Sequence, residues 1–277
     1  MLQIITDSAA DLPPEVIERY KIHVVPLTVH IDGEEYLDRV ELSAEEFYRK
    51  MAGAKVLPKT SQPPAAAFIK IFQALASKGE LLCISMSSKL SGTFQTACLA
   101  KEMSGINATV FDSWAASLAQ GLQVIKAAML AEKGLPCSEI ISKLTPFRNK
   151  MTILILLDTL ENIVKGGRLS KFQGSLAKLL NIKVLLTGVE GAVVMLERAH
   201  GRKKAFQKIV EIIGDKVREA KEIPARMFSI SHCNNIKDAE FLKKQITEKY
   251  RPCDVLINEM GPTIATYAGK GGLIISF

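Results

Sequence analysis

Two short stretches gather hydroxyl groups beside glycine or proline. Lys59-Thr60-Ser61-Gln62-Pro63 stands ahead of an expected helix. Ser87-Ser88-Lys89-Leu90-Ser91-Gly92-Thr93 joins an expected strand to a helix. Hydroxyls beside the unpaired N–H groups of a helix start suit an anionic head group, and the same residue types also make ordinary helix caps. Gly166-Gly167-Arg168 reads either as a helix C-cap with glycine in the left-handed region or as a close backbone approach with a guanidinium aimed at an anion. The basic stretch Arg198-Ala199-His200-Gly201-Arg202-Lys203-Lys204 reads as a solvated helix start or as a dock for an acidic protein. Asp7 and Asp112 close two expected strands. Brought together they could do acid/base work or bind a cation; each is equally placed to cap the helix that follows.

Several chemistries are not encoded. The sequence has no GxxxxGK[ST], no GxGxxG after a strand and no GxSxG, which argues against phosphate-loop, dinucleotide and nucleophile-elbow sites. The four histidines, at 23, 30, 200 and 232, form no HExxH, so no metal site is expected. With 277 residues, 48% hydrophobic and 23% charged, the chain can bury a large core, and disorder is excluded as its main description. Lys plus Arg is 36 against 29 Asp plus Glu, a net charge of +7 without a dense basic tract, so nucleic acid is not an expected partner. The apolar run Ile153 to Leu157 is five residues long, against the roughly 20 that a membrane span needs. The acid at Asp7 comes too early for a signal peptide. Five cysteines without a CxxC pair fit reduced thiols in a cytoplasm.

The elements that must position these residues alternate. Strands are expected at Leu2–Ile5, His23–Ile31, Leu81–Met86 and Ala108–Phe111. Helices are expected from Pro13-Pro14 to Tyr20, from the capping box Ser43-Ala44-Glu45-Glu46 to Ala52, from Pro64, from Thr93 to Met103, along Leu118, Leu122, Ile125 and Met129, and over Ser138–Lys150. Asp32-Gly33 signals a hairpin turn. Such a rhythm implies a parallel sheet flanked by helices, with ligands bound beyond the carboxyl ends of its strands. Thr6-Asp7-Ser8, Ser85 to Ser88 and Asp112-Ser113 put hydroxyls at those ends. Beyond residue 150 the rhythm changes. A strand at Thr152–Leu157 leads into a short helix, Asp158–Lys165, closed by Gly166-Gly167. A hairpin of Lys183–Thr187 and Ala192–Glu197 follows, then helices near 201–221 and 235–250 and strands near 226–231, 254–258 and 273–277. The fold class expected is therefore α/β in two domains, residues 1–150 around a parallel sheet and residues 151–277 around a mixed or antiparallel sheet.

Taken in order, these motifs make the chain resemble the DegV family, bacterial fatty-acid-binding proteins that serve as B subunits of fatty acid kinase. The resemblance rests on Thr6-Asp7-Ser8 with Asp11-Leu12, Val25-Pro26-Leu27, Lys59 to Pro63, Ser87 to Thr93, Phe111-Asp112-Ser113, Lys165-Gly166-Gly167-Arg168-Leu169 and Leu180-Asn181-Ile182-Lys183. It implies a carrier without catalytic residues, cofactor or metal. The carrier binds a long-chain fatty acid and presents its carboxylate to an ATP-dependent kinase subunit, and the acyl phosphate formed enters phospholipid synthesis. The carboxylate ligands it implies are Thr60, Ser61, Ser87, Ser88, Ser91, Gly92, Thr93, Arg168, Thr266 and Tyr267, with Arg202 engaging the kinase. Tyr267 stands where the family pattern carries a His, Lys270 where it carries a Pro, and Val184 follows Lys183 where a Pro is usual. A tyrosine still donates a hydrogen bond but does not titrate near neutrality. Phe68, Phe72, Phe94 and Leu118 are candidates for a tunnel wall, although apolar helix stripes of this kind are more often plain core. The alternative is an enzyme acting on a small phosphorylated metabolite, with Asp7 or Asp112 in phosphoryl transfer or hydrolysis.

Overall fold

The computed structural model describes residues 2–170, 182–220, with 217–220 as backbone alone, and 227–277. The chain opens with β1 (Gln3–Asp7), α1 (Pro14–Tyr20), β2 (His23–Val25), β3 (Thr28–Ile31), β4 (Glu34–Leu37) and α2 (Ala44–Gly53). It continues with β5 (Lys59–Ser61), α3 (Ala65–Leu75), β6 (Leu81–Ser85), α4 (Thr93–Ser104), β7 (Ala108–Asp112), α5 (Leu118–Glu132) and α6 (Cys137–Lys150). The starts follow local chemistry. Pro14 occupies the first turn of α1, where its missing N–H is no loss. The Ser43 hydroxyl accepts from the Glu46 amide at 3.2 Å to cap α2.

Strands β2-β1-β6-β7 form a parallel sheet. Alternation along the strands sends Ile5 and Cys83 towards Phe68 and Phe72 of α3 and Ile4, Leu82 and Ile84 towards Val124 and Ile125 of α5. Both faces are thus covered, as a parallel sheet requires. The single strand expected over His23–Ile31 is two. Pro26 lacks the N–H needed to continue a ladder, and the Leu27 amide donates to the Ser8 hydroxyl at 3.0 Å. The chain therefore leaves the parallel sheet at Val25 and restarts at Thr28 in a separate antiparallel sheet, β4-β3-β5. The Asp32-Gly33 turn joins β3 to β4.

The remaining elements are β8 (Ile153–Leu157), α7 (Glu161–Lys165), β9 (Ile182–Val189), β10 (Ala192–His200), α8 (Gly201–Ala220), β11 (Met227–His232), α9 (Ile236–Tyr250), β12 (Asp254–Glu259), α10 (Pro262–Ala268) and β13 (Leu273–Ser276). Six strands make a mixed sheet in the order β10-β9-β8-β13-β11-β12. The β9–β10 turn has Glu190 at φ 47° and Gly191 at φ 84°, the two positive angles of a tight hairpin turn. Leu154, Leu156, Ile230 and Ile275 pack beneath α8 and α9. Ile155, Leu157, Leu186 and Ile274 face the other way, towards α10 and β3. Helix α7 begins at Glu161 instead of Asp158, because the Thr159 hydroxyl accepts from the Glu161 amide at 3.1 Å. The expected motif residues Leu180 and Asn181, the end of the helix expected to reach 221 and the start of the strand expected from 226 lie outside the described residues.

A buried polar knot ties the sheets together. Asp11 accepts from Gly261 N at 2.7 Å, Arg39 Nη2 at 3.2 Å and Ser117 Oγ at 2.5 Å. Arg39 also donates to the Glu259 carbonyl at 2.6 Å. Asp38 accepts from Ser8 at 2.9 Å and Thr263 at 2.5 Å. Burial pushes the Asp11 carboxyl up to about 6 against the pull of the Arg39 charge, and burial likewise raises Asp38.

Candidate ligand-binding site

A cavity of about 390 Å³ opens between the inner face of the mixed sheet and the loops beyond β5 and β6, a volume within the roughly 300–1,000 Å³ usual for small-molecule sites. Alternate residues of β8, Ile153, Ile155 and Leu157, line it together with Ile274, Val193 and Leu27. Its polar lining is contiguous. Thr60 Oγ1 lies 2.7 Å from the Tyr267 hydroxyl. The Arg168 guanidinium stands 4.8 Å from the centre of the Tyr267 ring, and Arg168 Nε donates to the Leu90 carbonyl at 3.2 Å. Ser61, Gln62, Ser91 and Gly92 complete this wall.

The glycines make that arrangement possible. A Cβ on Gly166 would come within 2.5 Å of the Tyr267 ring, so α7 and α10 meet this closely only with glycine there. Gly167 takes φ 72°, and its amide bonds Val164 O while the Arg168 amide bonds Ile163 O, each at 3.0 Å. This is a helix-terminating Schellman arrangement. Both readings of Gly166-Gly167-Arg168 therefore hold at once, the C-cap at Gly167 and the close approach at Gly166. Of the five guanidinium donors, the bonds to Leu90 and Gly166 use two, which leaves Arg168 able to meet an anion.

Among the residues expected to hold a carboxylate, the structure brings Thr60, Ser61, Ser91, Gly92, Arg168 and Tyr267 onto the cavity. Ser87, Ser88, Thr93 and Thr266 do not line it. Buried Ser87 donates to the Gly191 carbonyl at 2.7 Å, tying the β6–α4 loop to the β9–β10 turn. The Ser88 amide donates to Asp112 at 3.2 Å. Thr93 shares a 2.9 Å hydroxyl contact with Ser91, and Thr266 donates to Pro262 O at 2.9 Å inside α10. Asp7 and Asp112 do not line the cavity either. Asp7, raised by burial, accepts from Met86 N at 2.8 Å and Ser85 Oγ at 3.0 Å. Asp112 accepts from the Ser88 and Trp114 amides at 3.2 and 3.1 Å. Both carboxylates brace the loops that carry the site, and neither caps the next helix through its side chain. Among the described residues no cluster of His, Cys, Asp and Glu could hold a metal ion, and no helix is long and apolar enough to cross a membrane.

Arg202 lies elsewhere, at the start of α8. It bonds Asp158 and Asp238 at 2.5 Å each and the Gly271 carbonyl at 2.8 Å, so it clamps the loops that flank α7 and α10. The tunnel candidates require a correction. Phe68, Phe72 and Leu118 are wholly buried, and neither they nor Phe94 line the cavity. Helix α3 turns its phenylalanines towards the parallel sheet, and the apolar lining comes from the mixed sheet instead. Sequence reasoning missed that lining because β8 is apolar on both faces, so no alternation marks the face that meets a ligand. It also missed Gln62, within the stretch Lys59 to Pro63, and Trp114, the single tryptophan of the chain. Trp114 at φ 52°, with the Arg148 guanidinium 3.8 Å from its ring centre, was not marked by any spacing.

The sequence pattern described as "Uncharacterised protein, DegV family" matches residues 1–277. A DegV domain-containing protein of Listeria monocytogenes is 35% identical over 275 residues, covering 98% of this chain and 96% of that one. A solved DegV family protein from Thermus thermophilus, described for its fatty acid binding, matches with a TM-score of 0.93 at 30% identity over 100% of this chain and 99% of its own. DegV of Bacillus subtilis, described as a fatty acid binding protein, matches with a TM-score of 0.89 at 31% identity over 99% and 98%. The α/β fold with one parallel and one mixed sheet flanked by helices is shared with these structures.

Proposed function

The chain belongs to the DegV family, and on that footing we propose that it binds a long-chain fatty acid in the cavity. The carboxylate lies among Thr60, Ser61, Ser91, Gly92, Arg168 and Tyr267, and the acyl chain runs along Ile153, Ile155, Leu157 and Ile274. Ser87, Ser88, Thr93 and Thr266 hold these walls from behind. Residues 1–150 and 151–277 act as two domains that both contribute to the cavity. The observation that carries this reading is a cavity with an apolar sheet face and one contiguous polar wall, the Thr60–Tyr267–Arg168 cluster.

Magnitudes agree with that division. Burying about fifteen methylenes at roughly 0.8 kcal/mol each is worth about 12 kcal/mol gross. Association takes back about 4 kcal/mol or more, so the acyl chain suffices for tight binding while the polar wall fixes the head group.

In the fuller reading the chain is a carrier in the cytoplasm. An ATP-dependent fatty acid kinase subunit phosphorylates the presented carboxylate, and the acyl phosphate feeds phospholipid synthesis. Arg202 supports the kinase dock by holding a surface on which Arg198, Lys203 and Lys204 are exposed. Trp114, in the cavity wall, supplies the test. Titrating delipidated protein with hexadecanoic acid and with hexadecanol, and following its fluorescence, should show both ligands binding and the acid binding at least about tenfold tighter, since bonds to a charged group are worth about 1.5–3 kcal/mol. Equal affinities would remove the carboxylate assignment, and no response to either would remove the fatty acid.

A further inference from the structure

A second and larger concavity, of about 1,080 Å³, lies between α5, α6 and strand ends of the mixed sheet at Met227, Cys253 and Phe277, and it shares no lining residue with the first cavity. Its floor is apolar, with Met129 38% exposed beside Phe147 and Met151. Its rim is cationic. Lys126 and Lys133 come from α5 and its end, and Lys143 and Lys150 come from α6. All four are exposed, and among the described residues none of them takes part in an ion pair. Among the described residues Glu139 is the one acid on the rim.

We propose that this groove docks an acidic amphipathic helix of a protein partner. The occupant follows from the spacing of the lysines. Within each pair they are seven residues apart, two helical turns or about 10.5 Å. A single carboxylate or phosphate would engage one or two of them and leave the rest unmatched. Acids recurring every three or four residues along a helix meet both pairs while its apolar stripe lies on the floor. The net charge of +7 draws such a segment in.

The test uses the full chain and a fluorescein-labelled peptide of about 18 residues, helical, with leucines on one face and glutamates flanking them. The control peptide carries lysines in place of the glutamates. Anisotropy should show the acidic peptide binding and the basic one not. Binding of the acidic peptide should fall at least about tenfold in Lys126→Glu/Lys143→Glu and weaken with salt. It should also slow alkylation of Cys253, an exposed thiol in the groove wall. Fatty acid uptake in the variant should be unchanged, which separates this dock from the cavity; if the double variant misfolds, Lys126→Gln/Lys143→Gln takes its place. Failure of the acidic peptide to bind, equal binding of the two peptides or indifference to the lysine changes would overturn the proposal, as would binding to phosphatidylglycerol vesicles but not to the peptide.

Discussion

Thr60 and Tyr267 are 207 positions apart in sequence and share a 2.7 Å hydrogen bond. In the proposed site, where the acyl chain would supply most of the affinity, Thr60→Ala should lower fatty acid affinity by no more than about tenfold, the order of one hydrogen bond. It should also move the bound carboxylate, visible as a changed shift of a 13C-carboxyl fatty acid. Abolished binding in a folded variant would reverse the roles of head and tail. Gly166→Ala places a Cβ 2.5 Å from the Tyr267 ring; the ring must give way, so stability should fall by about 1–3 kcal/mol in urea unfolding and carboxylate discrimination should weaken. At this scale the sequence was partly legible. Thr60, Ser91 and Arg168 stood in stretches dense in hydroxyls, glycine or cation. Tyr267 came only through the family pattern, since a tyrosine in a short helix carries no mark of its own. Ser87 and Thr266 show why a hydroxyl's type does not tell its direction: their bonds go to Gly191 and Pro262 carbonyls, and only the fold decides that.

Elements were more legible than their faces. Proline, capping serine and glycine turns marked most boundaries, yet β5 is three residues long and exists because β3 pairs with it, a partner no local pattern announces. The Asp11 knot belongs to this scale, for it joins the end of β1, the residues after β4 and the β12–α10 turn. A carboxyl held at about 6 when folded against an ordinary 3.8 keeps a proton that the unfolded chain has lost between those values. Its contribution is fully present below about pH 4 and is lost as pH rises through about 6, a fall of about 2–3 kcal/mol; Asp7 and Asp38, raised by burial as well, act in the same direction. Urea unfolding at pH 4, 5, 6 and 7 should show a smaller decline across this window in Asp11→Asn than in the native chain. Identical profiles would mean that Asp11 is not the group that titrates.

The whole molecule sets a parallel sheet, a three-stranded antiparallel sheet and a six-stranded mixed sheet around an interior lined by the inner face of the mixed sheet and by loops. The sequence rhythm carried the α/β architecture with one parallel and one mixed sheet, though not the small antiparallel sheet β4-β3-β5, and the motif order carried the family. Neither located the cavity, because a strand buried on both sides reads the same whichever side meets a ligand. That is why Phe68 and Phe72 were candidates for a wall that Ile153, Ile155 and Leu157 provide. If this interior holds an acyl chain as proposed, it should keep its ligand through purification, since burial of about fifteen methylenes at roughly 0.8 kcal/mol each favours a tight, slowly released complex. The most direct measurement is mass spectrometry of an organic extract of the purified, unheated protein. The expected result is a fatty acid in close to one-to-one ratio with the chain. An extract without fatty acid, from protein that also fails to take up added hexadecanoic acid, would contradict the account.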